Sequence, residues 1–139
     1  MPSFRFAEVA RLLGVSDDTV RRWVEAGRLS AGTDSSGRKV VDGAELAQFA
    51  KAQANQLPDP TDVARSARNK FVGLVTDVTS DRVMAQVEMQ CGPHRLVSLM
   101  SAEAVRDLGL APGVLAVAVV KSTQVVVEVA GADRPEQVF

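Results

Sequence analysis

The sequence predicts an α+β chain of two small domains, helical with a hairpin in front and β-rich behind. Three observations carry this. Apolar residues recur at helical spacing up to about residue 55, a proline-containing stretch without period follows, and the period then drops to two in Val-rich segments. The expected division is 1–55 for the first domain, 56–64 for a linker, 65–131 for the second domain and 132–139 for a C-terminal tail. With 139 residues, each domain is poorer in buried surface than one of typical size.

Phe6, Val9, Ala10 and Leu13 share one face of a first helix, which Gly14 stops. Ser16 is placed to cap a second helix, Asp17 to Ala26, whose two leading acids suit the helix dipole. Val20, Trp23 and Val24 form its inner face, and Gly27 ends it. The turn-rich run from Thr33 to Val41 reads as a hairpin or wing. Asp42 opens a further helix with Leu46, Phe49 and Ala50 inward. The linker's Pro58 and Pro60 favour an extended path. In the second domain, Phe71, Gly73, Val75 and Asp77 alternate with Val72, Leu74, Thr76 and Val78. Ser80-Asp81 is a turn before the strand Arg82 to Gln90, and Cys91-Gly-Pro-His is a turn before Arg95 to Met100. A short helix follows from Ser101 to Leu108, closed by Gly109, and the strands Leu115 to Val120 and Gln124 to Val129 complete the set. Five short strands with one helix between the third and fourth predict a small, partly open β-barrel of oligonucleotide-fold type.

Composition excludes several classes. No stretch approaches the roughly 18 to 20 apolar residues of a membrane span, and the start lacks the basic and apolar regions of a secretory signal. One cysteine, Cys91, forbids an intramolecular disulfide, fits a reducing compartment and points to the cytoplasm. Cys91 and His94 stand three apart, but two ligands do not complete a tetrahedral metal site, so no metal is expected. No nucleophile-and-base set, carboxylate pair or phosphate-cradling glycine loop is present, so the chain is not expected to be an enzyme. The net charge of −1, and acids that nearly cancel bases before residue 52, make DNA binding by one copy weak and dependent on oligomerisation.

The run from Phe6 to Leu29, with Leu-Gly-Val-Ser at the turn, Val-Arg-Arg-Trp in the second helix and Gly-Arg-Leu after it, resembles the winged helix-turn-helix of MerR-type regulators and phage excisionases. That resemblance implies that the second helix enters a major groove. The implied DNA-binding residues are Ser16, Thr19, Arg21 and Arg22, with Arg38 and Lys39 of the wing on the backbone or minor groove. Against this stand the spacings Asp17–Arg21, Asp18–Arg22 and Arg21–Glu25, which suit exposed ion pairs four residues apart.

Ser66-Ala-Arg-Asn, a strand, then Leu108-Gly-Leu, Pro112-Gly and Lys121-Ser-Thr before a Val-rich end resemble, in that order, the Mop domain (molbindin) of molybdate-binding proteins. A tetrahedral dianion needs convergent hydroxyl and N–H donors and one or two cations. The resemblance implies that Ser66, Arg68, Lys121 and Ser122 hold molybdate at a subunit interface, with Asn69, Thr123 and Ser101 available to join them. Ala104 replaces a serine of many members, which speaks against a secondary anion site there. Tungstate has the same shape and charge and fits equally. The implied function is a molybdate-responsive transcriptional regulator working as a homo-oligomer, a hexamer or an assembly of dimers. The alternative is a molybdate storage oligomer in which the helical domain mediates assembly.

Overall fold

The computed structural model describes residues 2–130. The tail expected at 132–139 lies outside the described residues. Two compact units emerge, one within the first 56 residues and one spanning Leu57–Glu128.

The first unit contains β1 (Ser3–Arg5), α1 (Phe6–Leu13), α2 (Asp17–Glu25), β2 (Gly32–Thr33), β3 (Lys39–Asp42) and α3 (Gly43–Gln53). Gly14 ends α1 in the left-handed region at φ 67°, where a β-carbon would be strained. The Ser16 hydroxyl accepts from the Thr19 N–H at the start of α2, and the Asp42 carboxylate accepts from the Glu45 N–H at the start of α3. The core gathers the inner faces of the helices and the sheet: Val9, Ala10, Val20, Leu29, Val41 and Leu46 are buried. Trp23 and Phe49 pack against it with ring centroids 4.9 Å apart. The expected hairpin is β2–β3, tightened by the Asp34 carboxylate accepting from the N–H groups of Ser36 and Arg38. The sheet has one strand more than expected, because β1 pairs antiparallel with β3 and sets Phe4 opposite Val41.

The second unit is a four-stranded antiparallel sheet of order β6-β5-β4-β7, built from β4 (Asn69–Ser80), β5 (Met84–Cys91), β6 (His94–Ser101) and β7 (Leu115–Val120), with α4 (Ala102–Leu108) between the last two. Val75, Ala85, Val87, Met89, Cys91 and Val105 form its core. Gly73 faces the β5 backbone so closely that a β-carbon there would lie 2.3 Å from the Gln90 carbonyl oxygen and 2.6 Å from Cys91 Sγ.

Two departures from expectation stand out. Strict alternation puts Asp77 on the face of buried Val75, but the register shifts between Val75 and Asp77. This bulge sends Thr76 and Asp77 outward and returns Val78 to the core, so the Asp77 carboxylate is not buried. The Thr76 hydroxyl donates to Glu88 Oε1 at 2.8 Å, and Val75 instead exchanges backbone bonds with Val114 and Gly113. The second departure is the last strand of the expected five. After Lys121 the chain makes a single 3₁₀ turn, Ser122–Gln124, and residues 125–130 form no ladder among the described residues. Val126, Val127 and Val129 are 82, 84 and 89% exposed. A strand exists only where a neighbouring edge takes its N–H and C=O groups, and among the described residues this segment meets none.

Candidate functional site

The antiparallel pairing of β4 with β7 assembles the polar cluster. Asn69 stands opposite Val120, so Ser66–Arg68 runs out of β4 beside the point where Lys121–Thr123 leaves β7. The Asn69 side-chain N–H donates to the Val120 carbonyl at 3.1 Å, which ties the two segments at their junction. Its amide nitrogen is thereby a brace, and the amide oxygen stays uncommitted. Ser66, Arg68, Lys121, Ser122 and Thr123 are exposed, and the 3₁₀ turn is closed by the Gln124 N–H donating to the Lys121 carbonyl at 2.9 Å.

Ser101 is placed elsewhere. It pairs with Met84 at the distal end of the sheet, next to the strand end Ser80↔Ala85, whereas Asn69 begins the twelve-residue β4. Its hydroxyl caps α4 by accepting from the Ala104 N–H at 3.0 Å. One chain therefore does not bring Ser101 to the other six residues.

A charged cluster not foreseen from the sequence lies just before Ser66. The Asp59 carboxylate accepts from the Thr61 N–H at 2.8 Å and the Thr61 hydroxyl at 2.6 Å. It also pairs with Arg65 Nη2 at 3.3 Å and Lys70 Nζ at 3.4 Å. The Thr61 hydroxyl bond, then the Thr61 N–H, with Lys70 and Arg65 adding to them, holds the Asp59 carboxyl down at about 2. Arg65 donates to the Thr61 hydroxyl as well, while its Nε is buried without a hydrogen-bond partner. The signal for this cluster was the Asp-Pro-Thr turn, which orients a carboxylate toward a residue two positions on.

On the first unit, Arg21, Arg22, Arg38 and Lys39 are exposed. Ser16 and Thr19 are committed locally: their hydroxyls lie 3.0 Å apart, and Arg22 Nη2 donates to Thr19 Oγ1 at 3.1 Å. Arg21 pairs with Asp18, three residues back, at 3.7 Å, in place of the spacings of four that the sequence suggested. Both partners of that pair are well exposed, so it holds Arg21 only loosely.

The helix-turn-helix domain model matches residues 4–54, and the TOBE domain model matches residues 65–127. The second region is 36% identical over 63 residues to molybdenum-pterin-binding protein 3 of Clostridium pasteurianum, covering 45% of this chain and 93% of that protein. The chain belongs to the Mop-type TOBE family, with a helix-turn-helix domain fused in front. It is also 38% identical over 86 residues to the molybdenum-pterin-binding protein MopB of Rhodobacter capsulatus, a match covering 57% of this chain and 31% of that longer protein. Among solved structures, the TOBE unit is similar to a molybdate-binding protein from Sporomusa ovata (33% identity, TM-score 0.46, 48% of this chain and 98% of that one). It is similar too to MopII from Clostridium pasteurianum (34%, TM-score 0.45, 48 and 100%). Among the described residues no helix is long and apolar enough to cross a membrane, and no group of three His, Cys, Asp or Glu residues gathers as for a metal ion.

Proposed function

We propose that this protein is a cytoplasmic, molybdate-responsive transcriptional regulator that acts by binding rather than by catalysis. Its domains are 1–55 for DNA, 56–64 as connection and 65–131 for the oxyanion. The observation that carries the reading is the Asn69–Val120 junction, which sets Ser66 and Arg68 beside Lys121, Ser122 and Thr123 in a chain whose relatives are named for binding molybdenum. Two cations and three hydroxyls match the donor set of a tetrahedral dianion, molybdate or tungstate.

The working form is a homo-oligomer. The Val-rich segment 125–129 is exposed and unpaired, and an apolar cavity of about 320 Å³ opens among Val75, Met89, Leu96, Met100, Leu110 and Ala118. A second copy's segment laid along this sheet supplies the fifth strand of an oligonucleotide-type barrel, and an assembly also allows Ser101 of a neighbouring copy to join the shell. Ligand shared between copies favours the assembled state, and this differential is what a molybdate switch requires.

The first unit serves as a winged helix-turn-helix, with Arg22 and Arg21 of α2 in the major groove and Arg38 and Lys39 of the β2–β3 turn on the backbone; Ser16 and Thr19 shape the helix start. Isothermal titration with molybdate, tungstate and sulfate, repeated on Arg68→Ala and Lys121→Ala, tests the anion site. Loss of one charge-assisted contact weakens binding by about ten- to a hundredfold. DNA anisotropy with and without molybdate tests the switch. Affinity for its own promoter that is unchanged at saturating molybdate refutes the regulator in favour of storage.

A further inference from the structure

The cations around the candidate anion site outnumber those assigned to it. Arg65 precedes Ser66, Lys70 lies two residues past Arg68, and both already hold a carboxylate. That carboxylate, Asp59, belongs to a turn stabilised by its own bonds to Thr61, so it reaches Arg65 and Lys70 from a fixed base rather than as a wandering side chain. The Arg65 and Asp59 side chains are 16 and 21% exposed, while Lys70 at 45% remains open to solvent. Arg65 Nε still has a donor to give. Arg68 and Lys121 flank the Asn69↔Val120 pair that ends the β4–β7 ladder, and the two cations that hold Asp59 stand three residues before and two residues after Arg68; Asp62, in the same turn as Asp59, is exposed.

We infer that Asp59 is an intramolecular counter-ion of the oxyanion site, a carboxylate that competes with the incoming dianion for Arg65 and Lys70 and so sets its affinity. The inference rests on the anion-binding reading above. A carboxylate is a poorer match to these donors than a tetrahedral dianion with twice its charge, so exchange is favoured only for ligands of high charge density. Monovalent oxyanions are thereby discriminated against, a selectivity that hydroxyl donors alone do not confer.

Asp59→Asn and Asp59→Ser remove the charge and keep an oxygen able to accept from Thr61. Repulsion between a unit charge and a dianion about 8 Å apart in a water-like medium corresponds to about fivefold in affinity. The full chain and these variants are titrated with molybdate at low salt, with Asp62→Asn as the control and far-UV circular dichroism to verify folding. The expected result is molybdate binding about fivefold tighter in both Asp59 variants and unchanged in Asp62→Asn. Unchanged or weaker binding in the Asp59 variants overturns the competitor role while leaving the anion site intact. Equal tightening in Asp62→Asn also overturns it, since a diffuse charge effect then suffices. Absence of binding in every protein, wild type included, refutes the anion site itself and this inference with it.

Discussion

Replacing Gly73 with alanine tests the packing that holds the candidate site in place. The added β-carbon would meet the Gln90 carbonyl oxygen at 2.3 Å, its carbonyl carbon at 2.9 Å and Cys91 Sγ at 2.6 Å. Ordinary carbon contacts lie near 3.5 Å, so β4 and β5 must part by about 1 Å where Leu74 pairs with Gln90. The obstacle is backbone, which no rotamer change can move aside. Overpacking of this kind costs about 3 kcal/mol, the upper end of its usual range. For a unit of this size that lowers its melting temperature by about 15 °C. Differential scanning calorimetry of the full chain reads the shift, and Trp23, the sole tryptophan, reports the first unit separately. The calorimetric transition of the TOBE unit moves down and the Trp23 transition stays. The double variant Gly73→Ala/Cys91→Ala relieves the sulfur contact but not the carbonyl, so it does not recover. A melting temperature within about 2 °C of wild type, or full rescue by the Cys91 change, refutes the backbone argument.

Two further outcomes follow from the same contacts. Ser16→Ala removes the acceptor for the Thr19 N–H at the start of α2 and lowers the Trp23-monitored stability by about 1 kcal/mol; no change shows that the cap is redundant. Asp59, held at about 2 against an ordinary 3.8, contributes stability that is complete above pH 4 and is lost as the pH falls toward 2. Glu88, lowered by the Thr76 hydroxyl and then by Arg95, acts in the same direction. Carboxyl resonances followed by NMR place the Asp59 midpoint well below that of an exposed aspartate, and an ordinary midpoint contradicts the cluster.

The helices were legible because their signals are local: Ser16 and Asp42 cap, Gly14 and Gly27 stop, and the buried positions follow at spacings of three and four. The alternation in β4 was legible as far as Val75. The bulge was not, because one extra residue changes neither composition nor apparent period; only the cost of burying Asp77 hints at it. Strand β1 is too short for any period, and pairing with β3 defines it. The segment Gln124–Val129 failed as a strand for a related reason: Val content marks a segment willing to pair and says nothing about whose edge it finds. Around the candidate site, Ser66, Arg68 and the Lys121 turn were readable as an ordered series. The Asp59–Thr61 turn had a local signal, but the partners of Asp59 did not, since Arg65 lies in irregular chain and Lys70 in β4. Asn69, read as available to the ligand, commits one of its two amide N–H groups to the Val120 carbonyl.

The closeness of Cys91 to Gly73 has a practical side. This thiol is the sole cysteine, is 5% exposed, donates to the Phe71 carbonyl and is pushed up in pKa by burial. A thiol reagent therefore reaches it only when the sheet and core around it open, and one reactive sulfur gives a single progress curve. Its labelling rate is a clock for that opening, readable in dilute solution. Run with and without an oxyanion, the clock measures how far occupancy at the mouth of β4 holds the middle of the sheet shut.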